Sequence, residues 1–241
     1  MRSVSFVVLV TWLLGACGDD GSGAVDAPPI PVDIDNGSCG DQIRFTGEYV
    51  DWDSHNTFCG INNALIEVVG GAMDSTAPNG RFDLCIPDAP STRLTVTQPS
   101  AMSQCTTPPG VYTIPTILFA QKAVIQSGGF FSARAFTTGR QGTFFQMVGM
   151  AFDPTKAHVF VHIDGPERAV SIAEAHGTTQ SVRVGAVSND WTPGAQGTEV
   201  FFPNVDVGTG TTMLTTDTAA IGTGSIPLVA GTITNVSLKT N

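Results

Sequence analysis

Asn79-Gly80-Arg81-Phe82-Asp83-Leu84-Cys85-Ile86-Pro87 decides the fold class. Asn-Gly is a turn pair, because both residues tolerate positive φ. From Arg81 onward polar and apolar side chains alternate, so Phe82, Leu84 and Ile86 share one face of a strand. Pro87 has no N–H to give to a ladder and closes the element. A short strand with one buried face, bounded by turn residues, is the repeating unit of sheet-on-sheet proteins.

The flanking sequence repeats that unit. Residues 44–53, 64–71 and 93–97 read as further strands, separated by Gly, Pro, Asn and Asp at about ten-residue spacing. Residues 117–125 fit either a short helix or a buried strand. Ser127-Gly128-Gly129-Phe130-Phe131 and the later Thr-Thr-Gly-Arg-Gln-Gly run make 126–146 a connecting segment, the alternative being that the whole of 117–146 packs across both modules. A second set of strands follows at 147–153, 158–164, 180–185, 199–205, 211–215 and 231–238, while 168–176 fits a helix after Pro166 or a strand equally well. Gly149 and Asp153 echo the spacing of Gly47 and Asp51. The expected architecture is all-β: tandem Ig-like or transthyretin-like β-sandwiches at 39–125 and 147–241.

Composition agrees. Charged residues are 13% of the chain, about half the usual share, and Thr, Val, Gly and Pro are abundant, which suits strands and turns. The net charge of -10 comes with no Lys/Arg cluster, which excludes nucleic acid as an expected partner. It also excludes a basic patch for anionic lipid.

The stretch 79–87, with Ala64-Leu65-Ile66-Glu67-Val68 before it, resembles the carboxypeptidase regulatory-like, or transthyretin-like, β-sandwich. That family carries an "Asn-Gly-x-Phe-x-Leu-x-Val-Pro" turn and strand. The resemblance covers residues 47–97 and implies a sandwich that serves adhesion, envelope structure or ligand binding.

At the N-terminus Arg2 precedes an apolar run from Val4 that ends in Leu14-Gly15-Ala16-Cys17. The run is far short of the ~20 residues that span a bilayer and fits a secretory signal. Its end resembles the lipobox of bacterial lipoproteins. That resemblance implies removal of residues 1–16, acylation of Cys17 and a partner in membrane lipid. Gly18, rather than Asp, follows the cysteine, which by the family rule implies sorting to the outer membrane of a Gram-negative host. Residues 17–38, rich in Gly, Asp and Pro, read as a flexible linker. They lack the glycine and the closing glutamate of a calcium-binding loop.

Setting Cys17 aside leaves Cys39, Cys59, Cys85 and Cys105, an even set that reads as two disulfides in an exported chain. Of the three pairings, Cys59–Cys85 with Cys39–Cys105 is slightly favoured. The wide spacing without a C-x-x-C pair argues against zinc.

Chemistry is sparse. His158 and His162 share a strand face, but four residues at about 3.3 Å each hold them too far apart for one metal. Asp51, Trp52 and Asp53, with His55, form the densest polar cluster. Beside Trp191 and Tyr112 they are the expected ligand-binding residues, because a flat ring flanked by carboxylates stacks on a sugar and accepts its hydroxyls. The chain has no nucleophile elbow and no phosphate loop. A related sandwich enzyme, the intradiol dioxygenase, binds iron through two Tyr and two His including a His-x-His pair; Tyr49 and Tyr112 are present but that pair is not. The expectation is a non-catalytic protein without cofactor or metal. A carbohydrate-binding module, with a glycan or an envelope protein as partner, is the first alternative, and a metalloenzyme on the sandwich is the second.

Overall fold

A computed structural model describes residues 39–52, 59–103, 109–183 and 191–241. Cys17 and the linker lie outside these residues, as do Asp53, His55 and Cys105. The first half forms β1 (Ile43–Asp51), β2 (Leu65–Val68), β3 (Met73–Ser75), β4 (Arg81–Ile86), β5 (Ser91–Thr97), β6 (Thr116–Gln121), α1 (Lys122–Gln126) and β7 (Ser132–Ala135). After α2 (Thr138–Met147) come β8 (Ala157–Asp164), β9 (Arg168–Ile172), β10 (Gln180–Val182), β11 (Thr192–Pro193) and β12 (Gln196–Gly197). The chain continues through β13 (Glu199–Val205), β14 (Thr211–Thr216) and β15 (Gly224–Pro227) to β16 (Ile233–Lys239). The protein is all-β with two short helices.

The strand that opened the reading behaves as its alternation requires. In β4, Phe82, Leu84 and Ile86 are buried while Arg81 and Asp83 are exposed. Gly80 sits at φ 73°, and a Cβ there would lie 2.3 Å from the Tyr49 carbonyl oxygen, so only glycine fits the turn. The stretch 117–125 is both of its readings in turn, with β6 running directly into α1. Residues 168–172 resolve as strand β9.

Topology departs from the expected pair of separate sandwiches. Nine strands form one sheet in the order β11-β10-β13-β8-β16-β6-β5-β2-β3. The C-terminal strand β16 lies between β8 and β6, parallel to both, with Val236 opposite Val161 on one side and Phe119 on the other. The two halves are thereby zipped into one compact unit, Asn36–Asn241. Residues 126–146 are not a connector but supply β7 and α2, both packed into that unit.

Each half still has its own core, on opposite faces of the shared sheet. On one face, β4-β1-β7 covers β2, β5 and β6 over a core containing Phe45, Tyr49, Ile66, Leu84 and Leu118. On the other, β12-β9-β14-β15 covers β8, β13 and β16 over Val159, Val161, Phe202, Leu214 and Val236. Asn235 is opposite Leu118 and Phe160, so the face of β8 bearing Phe160 continues the face that holds the first core. A third cluster, with Trp52, Phe144, Phe160, Trp191 and Phe201, fills that remaining area.

Helix α2 covers this third cluster. It lies in the stretch expected as a connecting segment, and Gly139 and Gly142 lower its helix propensity. Thr137 caps it, accepting a hydrogen bond from the Arg140 N–H at 3.2 Å, and burial of Phe144 and Phe145 supplies what propensity lacks. The strand expected at 147–153 is instead the helix end and the loop after it.

Cys39 pairs with Cys85, with Cα atoms 5.5 Å apart. This corrects the favoured pairing of Cys85 with Cys59. β1 runs antiparallel to β4 with Arg44 opposite Cys85, so the residues just before β1 reach Cys85 first. Cys59 is also disulfide-bonded. The Cys39–Cys85 link closes 46 residues, so replacing both by Ser is expected to cost about 2–4 kcal/mol, measured as a lower urea midpoint with an unchanged fold by circular dichroism.

Candidate functional site

The residues expected to bind a ligand are brought close together, but not at the surface. Trp52 follows β1 directly, held by its N–H to the Ala135 carbonyl at 2.9 Å, and its side chain has no solvent exposure. Its ring stacks on Phe136 at 3.7 Å and on Trp191 at 4.9 Å between centroids. Trp191 is 5% exposed and Tyr112 6%. A sugar-stacking platform of Trp52, Trp191 and Tyr112 is therefore excluded: the shared sheet and α2 claim these rings for the core, where their area contributes most.

Asp51 is buried as well. Tyr112 donates to its Oδ2 at 2.7 Å, and the Ser103 hydroxyl lies 3.4 Å from the same oxygen and 2.9 Å from the Tyr112 hydroxyl. Burial, reinforced by the Asp51 charge, pushes the Tyr112 phenol far above its ordinary value. It acts as a fixed neutral donor that satisfies a buried carboxylate. A parallel network ties Tyr49 to Thr116 at 3.2 Å and Gln98 at 2.6 Å.

The most concentrated buried charge was not singled out in the sequence. Arg134 of β7 donates through Nε to both Glu199 carboxylate oxygens at 2.9 Å, through Nη2 to Oε1, and through Nη1 to the Asp51 carbonyl at 3.0 Å. Both side chains are under 10% exposed. Burial raises the Glu199 carboxyl against the pull of the guanidinium. The legible signal was a charge in each of two otherwise uncharged runs, Ser132-Ala133-Arg134-Ala135 and Glu199-Val200-Phe201-Phe202, since charges are almost never fully buried unless paired.

This pair belongs to a seam between β7 and the shared sheet. In β7, Ala133 and Ala135 enter the first core, and Ser132 and Arg134 turn to β16. The free-edge N–H groups of this strand are taken up by side chains: Arg134 N–H donates to Asn235 Oδ1 at 2.8 Å, and Ser132 N–H to Ser237 Oγ at 3.4 Å. Just before β7, the Phe130 N–H donates to Asp164 Oδ2 at 2.8 Å, which Lys239 Nζ also reaches at 2.9 Å.

His158 and His162 lie on the sheet face that carries Phe160, as their spacing implied. The Nδ1 of His158 accepts the Asn204 N–H at 3.2 Å, where β13 bulges between Phe202 and Val205 and Asn204 takes φ 51°. Burial lowers His158 to about 4, and burial and then Arg134 lower His162 to about 4. Among the described residues no three His, Cys, Asp or Glu side chains converge on a metal position.

A shallow groove of about 620 Å³ runs along β14 and the loop before β15, lined by Met213, Leu214, Ala219, Ala220 and several threonines. None of its lining residues ionises, so it offers hydroxyls and small apolar groups but no acid or base. No family model matches the chain, and no curated protein matches it. One similar solved structure is the Bacillus anthracis TIE protein, at 9% identity and a TM-score of 0.22, covering 83% of this chain and 34% of that one, so the chain spans about a third of that structure's length.

Proposed function

We propose that the protein is an exported, non-catalytic lipoprotein, held at the outer membrane through acyl chains on Cys17. Its β body, joined by the linker 17–38, serves adhesion, envelope structure or ligand binding with a glycan or an envelope protein as partner. The observation that carries this reading is Leu14-Gly15-Ala16-Cys17 at the end of a short apolar run. The Cys39–Cys85 disulfide supports it, since such bonds persist in oxidising compartments outside the cytosol. Among the described residues no helix is long and apolar enough to cross a membrane, and acyl chains supply attachment at about 0.8 kcal/mol per buried CH₂.

Changing Cys17 to Ala is expected to move the protein from the membrane fraction to the soluble fraction and to abolish palmitate labelling. The urea midpoint of the body should not change. A Cys17→Ala protein that still sediments with membranes would overturn the anchor.

A further inference from the structure

We propose that the tip of the β2–β3 hairpin, Val69 to Met73, contacts lipid and rests the body on the membrane surface that holds the acylated Cys17. From Val68 to Met73 the chain reads Val-Val-Gly-Gly-Ala-Met, without a polar side chain. Turns between strands are ordinarily polar, and an exposed apolar run is unfavourable in water unless a partner covers it. Val68 turns into the first core. Val69 is 76% exposed and Met73 59%, the two most exposed large apolar side chains among the described residues. β3 is the last strand of the nine-stranded sheet, so no further strand of that sheet flanks the tip. The turn also pairs backbone groups of its own: the Val68 N–H donates to the Ala72 carbonyl at 2.9 Å and the Gly71 N–H to the Val68 carbonyl at 2.8 Å. That lowers the cost of lipid contact, where an unpaired peptide group finds no water.

Lipid is the occupant because of where the linker meets the body. Asp74, next to Met73, accepts the Asp83 N–H through Oδ2 at 2.8 Å, which sets β3 beside β4. Two residues further along β4, Cys85 is bonded to Cys39, the first residue after the linker 17–38. Tip and attachment point thus lie on neighbouring strands. The chain from Cys17 to Cys39 reaches at most about 75 Å even fully extended, so the anchor keeps this side of the body within reach of lipid. There a contact too weak to bind alone becomes populated, because it is intramolecular in effect. The proposal rests on the anchor at Cys17, since two side chains and a turn are too little to hold a protein at a membrane by themselves.

Charge takes no part in the contact. The tip carries none, and Glu67 and Asp74 at its two ends mark where the lipid contact stops. The Asp74 carboxylate is engaged by the Ser75 and Asp83 N–H groups. An apolar contact of this kind is insensitive to salt.

The test uses the full acylated chain in phosphatidylcholine vesicles whose acyl chains carry bromine, a short-range quencher of tryptophan. Trp52 and Trp191 are buried in the core, and Trp12 falls within residues 1–16, which are removed when Cys17 is acylated. The background is therefore constant. Val69→Trp puts a reporter at the tip. Thr209→Trp puts one in the exposed turn between β13 and β14, β13 being five strand positions from β2 in the shared sheet. Both sites are exposed, so neither change disturbs packing. The added emission of Val69→Trp is expected to be blue-shifted, quenched by brominated lipid and unchanged by added salt, while that of Thr209→Trp stays red-shifted and unquenched. Adding Met73→Asp to Val69→Trp should remove most of the quenching. Flotation with the vesicles reports the anchor separately. Protein that floats while Val69→Trp is quenched no more than Thr209→Trp overturns the tip and leaves the anchor standing. Quenching that survives Met73→Asp intact, or is lost on adding salt, also overturns the tip. Protein that does not float overturns the anchor, and the tip with it.

Discussion

Arg134→Met is expected to destabilise the protein by about 3–5 kcal/mol, because it strands the Glu199 carboxylate in the interior. The guanidinium also donates to the Asp51 carbonyl, so the substitution orphans an acceptor at the end of β1 as well. The loss has a characteristic pH dependence. Burial holds the Glu199 carboxyl above its ordinary value, so the folded variant takes up a proton before the unfolded chain does. Its deficit is full well above that raised value and shrinks as pH falls through it. Arg134→Met combined with Glu199→Met should recover most of the loss, since two apolar side chains in place of a buried ion pair are often neutral or stabilising. Urea unfolding of the two single variants and the double variant measures the coupling. A single variant within about 0.5 kcal/mol of the parent, the range of ordinary surface substitutions, would refute the seam as described.

Trp52→Ala is the second large effect, expected at about 3–5 kcal/mol. The ring is fully buried and touches Phe136, Phe144, Phe160, Trp191 and Phe201, so truncation leaves a void that strands from both halves of the chain cannot close together. Near-ultraviolet circular dichroism should lose the signal of the stacked Trp52–Trp191 pair, and the urea midpoint should drop. An exposed sugar platform would behave in the opposite way, with stability almost unchanged on losing the ring. The same measurement therefore separates a core tryptophan from a binding tryptophan.

Much of the fold was readable because sheet burial writes itself into alternation. β4, β5 and β14 bury alternate residues as the period-two pattern requires, β1, β8 and β13 lie on stretches expected as strands, and Asn79-Gly80 is a turn as its chemistry requires. α2 was hidden because its two glycines and weak amphipathicity say loop, and only the aromatic residues beneath it make it worth forming. β7 was hidden because it is only four residues long and the side chains it gives the core, Ala133 and Ala135, are too small to mark an apolar face.

Local sequence determined the class of structure and most of the longer strands, since each depends on residues close together in the chain, and the proposed anchor at Cys17 rests on it alone. Tertiary structure alone decided that β16 inserts between β6 and β8, that Cys85 pairs with Cys39, and that Trp52 and Trp191 are core. Those outcomes depend on which strand edges and faces meet between segments far apart in the chain, 46 residues for the disulfide and more for the others, and alternation specifies a buried face without specifying what buries it.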